Sequence, residues 1–190
     1  MSTASRFTIT NTPLSGLKLI ERQCLGDARG FLSRLFCADE LAAAGWTKPI
    51  AQINQTFTAK AGTIRGMHFQ NPPHAEVKLV SCLRGAVFDV AVDLRVDSPT
   101  FLQWHGVQLS AENRCALLIP EGFAHGFQTL TDDVELLYCH SAPYVPSAEA
   151  GLHPQDSRLG ISWPMPITEL SARDSQHPLI TAAFKGIILS

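Results

Sequence analysis

Six polar or ionisable residues interrupt stretches that otherwise read as apolar strands: Arg65, His68, Lys78, Asp89, His125 and Tyr138. A closed barrel has an interior where such groups can converge on one ligand. Each also has a plainer place. Arg65 and Lys78 can be solvated strand residues, Asp89 and Asp93 can face water on the outside of a sheet, His125 can be a satisfied core histidine, and Tyr138 can pack with its hydroxyl at a rim. Their concentration in one stretch of chain, rather than any single residue, points to a lined cavity.

The chemistry open to such a cavity narrows by elimination. Barrels that hold iron, manganese or zinc commonly present two histidines one residue apart, a carboxylate a few residues on and a later histidine. Around His68 the sequence is Gly66-Met67-His68-Phe69-Gln70, so Gln70 stands where the second histidine belongs. His74 follows Pro72-Pro73 at the wrong spacing, and no two histidines are separated by a single residue. No bound metal is expected. There is no G-x-S-x-G elbow, and Cys139 beside His140 would face the other side of a strand from its neighbour. Glycine loops of the Walker or dinucleotide type are missing as well. The cofactor classes are thus mostly excluded, and acid–base chemistry carried by side chains remains.

The elements that must position these residues are mostly strands. Residues 77–83 and 86–94 flank Arg84-Gly85 and read as a hairpin. In the second arm Phe88, Val90, Val92 and Leu94 share one face, and Asp89, Ala91 and Asp93 the other. Further strands are expected over 101–110 and 114–119, the latter ended by Pro120-Glu121-Gly122. A second hairpin is expected from 125–130 and 134–140 around Thr131-Asp132-Asp133. Short helical pieces are expected at 38–44, closed by Gly45, and at 169–173. Many short strands with frequent turns indicate an all-β sandwich or barrel. The 190 residues suit a single domain over 1–190, with no linker or repeat.

Composition excludes several classes. A net charge of −2 offers no basic field for nucleic acid. The five cysteines are scattered, odd in number and never spaced as CxxC, which suits a reducing, cytoplasmic setting over a disulfide framework. In that setting the glycosylation-like Asn54-Gln55-Thr56 carries no meaning. The first residues lack an apolar signal core, and no apolar run is long enough for a membrane span.

Several segments together resemble the dTDP-4-dehydrorhamnose 3,5-epimerase family. They are Asp27-Ala28-Arg29-Gly30-Phe31, Arg65-Gly66-Met67-His68-Phe69-Gln70, Lys78, the Val87-to-Asp93 strand, Pro120-Glu121-Gly122-Phe123-Ala124-His125-Gly126-Phe127, and Gly160-Ile161-Ser162-Trp163-Pro164. They run in order from about Leu17 to Pro178. The resemblance implies a homodimeric, cupin-type jelly-roll barrel with short peripheral helices and no cofactor. The implied activity inverts C3 and C5 of dTDP-4-dehydro-6-deoxy-D-glucose to give dTDP-4-dehydro-L-rhamnose. Carried over residue by residue, it makes His68 the general base, Asp174 its orienting carboxylate, Tyr138 the acid on the opposite sugar face and Lys78 the stabiliser of the enolate oxygen. Tyr144 would stack on the thymine ring. Arg29, Gln52, Asn54, Arg65, His125 and Glu149 would line the nucleotide-sugar site, with Asp89 paired to His125.

These types suit an enolate mechanism. Histidine titrates near neutral pH, a carboxylate fixes its tautomer, and a tyrosine stays protonated. The chain departs from the family at Arg34, where a glutamate is usual, and at Gln55, where histidine is common. Arg34 keeps open a relative that epimerises a single carbon or takes another nucleotide. A barrel that only binds a sugar nucleotide would need no base–acid set, and a metal-dependent cupin is a more distant alternative.

Overall fold

The computed structural model describes residues 5–189. In chain order the elements are β1 (Phe7–Asn11), β2 (Lys18–Arg22), β3 (Cys24–Asp27), β4 (Gly30–Ser33), α1 (Ala38–Ala42), β5 (Gln52–Thr58), β6 (Thr63–Gln70), β7 (Lys78–Arg84), β8 (Ala86–Asp93), β9 (Trp104–Ser110), β10 (Cys115–Ile119), β11 (Phe123–Thr129), β12 (Val134–His140), β13 (Glu149–Gly151), β14 (Glu169–Leu170) and α2 (Ala172–Ser175). One antiparallel sheet has the order β1-β2-β10-β7-β12-β5, and the other β13-β6-β11-β8-β9, with β14 joined in parallel to β6. Strands β3 and β4 form a separate hairpin. This is the all-β jelly-roll architecture expected from the sequence.

Both expected long hairpins are corners instead. β7 lies in the first sheet and β8 in the second, and β11 and β12 are divided in the same way. Arg84-Gly85 and Thr131-Asp132-Asp133 therefore carry the chain from one sheet to the other. Gly85, at φ +72°, makes the first corner, and a Cβ there would fall 2.5 Å from the Thr131 hydroxyl of the second. A two-residue turn between two strands looks the same in sequence whether the strands pair or part.

Three apolar layers result. Between the sheets lie Leu14, Leu17, Val80, Val87, Leu117, Phe123 and Leu136. Outside the first sheet, Leu41 of α1 and Trp46 cover Ile20, Leu79 and Leu118. Outside the second, Leu152, Leu159, Ile180 and Ile187 from the C-terminal segment cover Val90, Val92 and Leu94. The period-two split of β8 is thus as expected, yet neither face meets water. Asp89 and Asp93 are fully buried on the inward side, which rules out the plainer alternative that they face water. The peripheral pieces are shorter or divided. α1 stops at Ala42 ahead of Gly45 at φ +109°, β9 begins only at Trp104, and 169–173 splits between β14 and α2.

The interior changes character along the strands. On β12 the inward residues run Val134, Leu136, Tyr138, His140, and on β7 Cys82, Val80, Lys78. One end of the barrel is therefore packed and the other polar. On the opposite wall β6 carries one residue more than β11 between two paired positions: His68 pairs with His125, but Arg65 with Phe127. Residues three apart in a regular strand face opposite sides, and this bulge turns Arg65 and His68 to the same cavity. Gly66 makes it possible. Its φ is +123°, and a Cβ there would fall 2.4 Å from Gly126 Cα and 2.7 Å from the His125 carbonyl oxygen. Gly66→Ala is expected to destabilise the fold by about 3 kcal/mol, a fall of roughly 6–12 °C in the thermal midpoint read by calorimetry.

Candidate active site

The polar end of the barrel is a cavity of about 970 Å³. His68 enters it from β6. His68 Nε2 lies 2.7 Å from Asp174 Oδ1, and Asp174 Oδ2 accepts the Gly66 N–H at 3.2 Å. Asp174 is held by α2, where its own N–H donates to the capping Ser171 hydroxyl at 3.0 Å. Burial opposes ionisation of this carboxyl most strongly. The hydrogen bond and charge of His68, the Gly66 N–H and the nearby Arg173 together outweigh it and bring Asp174 down to about 2. Its folded value thus lies below its ordinary one. The stability from this pair is complete above the usual carboxylate range and is lost as pH falls from about 4 toward 2. With Nε2–H given to Asp174, the other imidazole nitrogen keeps a lone pair to accept a proton.

Tyr138 stands on the opposite sheet, and Lys78 beside it on β7. Burial pushes the Tyr138 phenol well above its ordinary value, and the negative charge of Asp89 adds to this, so the hydroxyl keeps its proton throughout the working range. Its ring stacks on His140 with centroids 5.9 Å apart. Lys78 Nζ lies 3.1 Å from Glu76 Oε1, and Glu76 Oε2 lies 2.8 Å from His140 Nδ1. Burial works against ionised Glu76, but the His140 hydrogen bond and the Lys78 charge prevail and hold its carboxyl below the usual range. Neither Glu76 nor His140 is among the site residues expected from the sequence. Period two held the signal, since Glu76 precedes Lys78 by two residues and His140 follows Tyr138 by two.

The remaining expected residues divide by location. His125 lines the cavity, and its Nε2 lies 2.8 Å from Asp89 Oδ1 behind it, so the Asp89 face does belong to the barrel interior. Arg65 lines the wall and donates to the Phe57 carbonyl at 3.2 Å. At the mouth, the Tyr144 hydroxyl donates to Glu149 Oε2 at 2.7 Å, and its N–H to Gln52 Oε1 at 3.0 Å. Gln52 in turn donates to Asn54 Oδ1 at 3.0 Å. Arg173, also missed from the sequence, donates to both Glu149 oxygens at 3.1 Å and approaches His68 Nε2 to 3.1 Å.

Arg29 is not brought to this cavity. It sits on the β3–β4 hairpin with its side chain 90 % exposed and paired to Asp27 at 2.6 Å. Arg34 is likewise outside, paired to Glu40. Among the described residues, one histidine–carboxylate group has the closeness of metal ligands: His68, Asp174 and His177, with ligand atoms within 4.8 Å of one another. It has no His-x-His spacing, because its members come from β6 and the C-terminal segment.

A carboxylate-paired histidine and a protonated tyrosine thus line one cavity from opposite sheets, with a lysine beside the tyrosine. Such a set can move a proton off one face of a carbon and onto the other. A family model described as dTDP-4-dehydrorhamnose 3,5-epimerase matches residues 11–182. The Salmonella typhimurium protein of that name is 42% identical over 176 residues, covering 92% of this chain and 96% of its own. The Bacillus anthracis enzyme of that name, solved with TDP and pyrophosphate bound, has a TM-score of 0.87 at 42% identity and covers 92% of this chain and 99% of its own. A Streptomyces niveus protein named dTDP-4-dehydrorhamnose 3-epimerase is 39% identical, over 90% of this chain and 82% of its own. A match over most of the chain, the same fold and a wall of acid–base residues agree: this chain belongs to the dTDP-4-dehydrorhamnose 3,5-epimerase family.

Proposed function

We propose that this chain, as one domain over residues 1–190 and as a cytoplasmic homodimer, epimerises C3 and C5 of dTDP-4-dehydro-6-deoxy-D-glucose to dTDP-4-dehydro-L-rhamnose without a cofactor. The observation that carries this reading is the placement of His68 and Tyr138 on opposite sheets of one cavity. His68, oriented by Asp174, takes the hydrogen from a carbon beside the C4 ketone. The electron pair moves onto the C4 oxygen, where the Lys78 ammonium stabilises it. Tyr138 gives its proton to the other face of that carbon, and configuration inverts. Water then restores the proton to Tyr138 and removes the one on His68.

Arg65, Asn54, Gln52, His125 (set by Asp89), Tyr144 and Glu149 are assigned to the nucleotide sugar. An arginine suits a diphosphate and an exposed aromatic ring suits a nucleobase. The Bacillus relative's bound TDP supports a thymidine nucleotide. The Streptomyces relative named for C3 alone supports a second reading, a mono-epimerase with the same base and acid.

The homodimer reading rests on exposed apolar side chains. Phe31 is 65% and Leu32 71% exposed on the β3–β4 hairpin, and Ile53 and Phe57 stand open on the edge strand β5. Such patches mark protein–protein contacts. A second copy covering them also accounts for Arg29, which the same hairpin would deliver to the partner's cavity.

Incubation with the 4-keto sugar nucleotide in heavy water, read by NMR, should place deuterium at both C3 and C5. Label at one carbon would favour the mono-epimerase, and no label from folded protein would sink both. His68→Ala should abolish exchange. Asp174→Asn should cut turnover roughly 10²–10⁴-fold with KM little changed. In sedimentation the parent should run as a dimer and the Phe31→Asp/Leu32→Asp variant as a monomer. Arg29→Ala should stay dimeric and raise KM, and an unchanged KM would remove Arg29 from the site.

A further inference from the structure

We propose that His68, Asp174 and His177 form a binding site for a divalent transition-metal ion, and that filling it silences the enzyme. His68 Nε2 and His177 Nε2 lie 2.7 Å and 3.8 Å from the same oxygen, Asp174 Oδ1. All three ligand atoms are within 4.8 Å of one another. A tetrahedral zinc ion with bonds of about 2.0–2.1 Å spaces its ligands by about 3.4 Å. The cluster therefore brackets the required geometry and needs only side-chain adjustment to reach it.

The independent sign of a missing partner is on His177. Its Nε2 is buried and makes no hydrogen bond, and a buried polar nitrogen without a partner is uncommon enough to need an explanation. Nor is the ring there by accident of a loose tail. Gly151 of β13 pairs with His68 of β6, and a Cβ on residue 151 would fall 2.3 Å from His177 Nε2. The absent side chain is the space the imidazole fills. From there it meets the His68 ring edge-on, with centroids 5.6 Å apart. The fold thus holds a second imidazole against the dyad, with its unpaired nitrogen near the shared carboxylate.

Two imidazoles and one carboxylate favour zinc, nickel, cobalt or copper over magnesium or calcium, which prefer all-oxygen sites. His68 opens onto the cavity, so an ion can enter there and keep water in its remaining position. Arg173 competes for the place, since its guanidinium is 3.1 Å from His68 Nε2. Its side chain is 56% exposed and tethered to Glu149, so it can swing outward, and its charge makes the site one of moderate affinity. An ion here takes the Nε2 that otherwise bonds Asp174 and fixes the imidazole so that it cannot cycle a proton. The silencing rests on His68 being the base, whereas the metal site does not.

The test titrates chelator-treated, dialysed protein with zinc chloride by calorimetry and measures epimerase turnover on the same samples. His177→Gln and His177→Ala are run in parallel, with folding checked by thermal melting. One zinc per chain is expected in the parent, with no heat from magnesium. Either substitution should weaken zinc binding at least tenfold, the low end for losing even an indirect metal contact. Zinc should stop parent turnover, and EDTA should restore it. His177→Gln should turn over normally without metal and resist zinc at concentrations that stop the parent. The proposal is overturned if the parent binds no stoichiometric zinc. It is equally overturned if both variants bind as the parent does, which would place the ion elsewhere on the chain. Zinc that binds through His177 yet leaves turnover intact would support the site and remove His68 as the base.

Discussion

Asp174 is a charged carboxylate almost wholly withdrawn from water, and a buried charge is tolerated only where its neighbours compensate it. Here the compensation comes from His68 of the barrel and from the backbone of Gly66. The same interaction does two things. It fixes the imidazole that faces the cavity, and it anchors the C-terminal segment, which has little regular structure of its own, against β6. That segment in turn roofs the outer face of the second sheet through Leu152, Leu159 and Ile180. The geometry of the cavity wall and the covering of the sheet therefore depend on one hydrogen-bonded pair, and disturbing either is felt by the other.

The pair works only because β6 is irregular where it meets β11. A regular strand would send Arg65 and His68 to opposite faces, and Gly66 N–H would be spent on the ladder. The extra residue in β6, with glycines facing each other at 66 and 126, brings two backbones closer than side chains allow. It turns both cavity residues inward and leaves a free N–H for Asp174. Two missing methyl groups are thus part of the active-site architecture as much as the imidazole is.

Much of this was legible in the sequence. The period-two pattern of β8 correctly separated Val90 and Val92 from Asp89, and Cys139 from His140 on β12 is divided in the same way, the cysteine lying under α1 and the histidine in the cavity. What the sequence did not show has common causes. Local patterns define strands but not the sheet each one joins, so corners passed for hairpins. A polar residue opposite an apolar face reads as solvated unless something covers both faces, and the covering of β8 comes from residues some 60–90 positions away. His177 and Arg173 matter through tertiary contact with His68, which no spacing encodes. Arg29 belongs to the family motif, but within one chain it projects away from the cavity, since a motif records a residue's presence and not where the fold places it.

The lysine and one arginine around the cavity stand in matched pairs, Lys78 with Glu76 and Arg173 with Glu149, and Asp174 is hydrogen-bonded to His68. Arg65 differs. Among the described residues it has no carboxylate partner, and the one hydrogen bond of its guanidinium is to the Phe57 carbonyl. Matched pairs attract little further charge, whereas one unmatched guanidinium in a partly enclosed wall attracts an anion. In the proposed reaction this separates binding from chemistry. A diphosphate is drawn to Arg65, while the Lys78 ammonium, restrained by Glu76, meets new negative charge only when the enolate forms. Glu76 is shared with His140, so its hold on Lys78 is divided, and the ammonium can lean toward a developing oxyanion without leaving a buried carboxylate alone. A lysine with no such partner would bind any anion in the cavity. A lysine with an undivided one would have nothing left for the transition state.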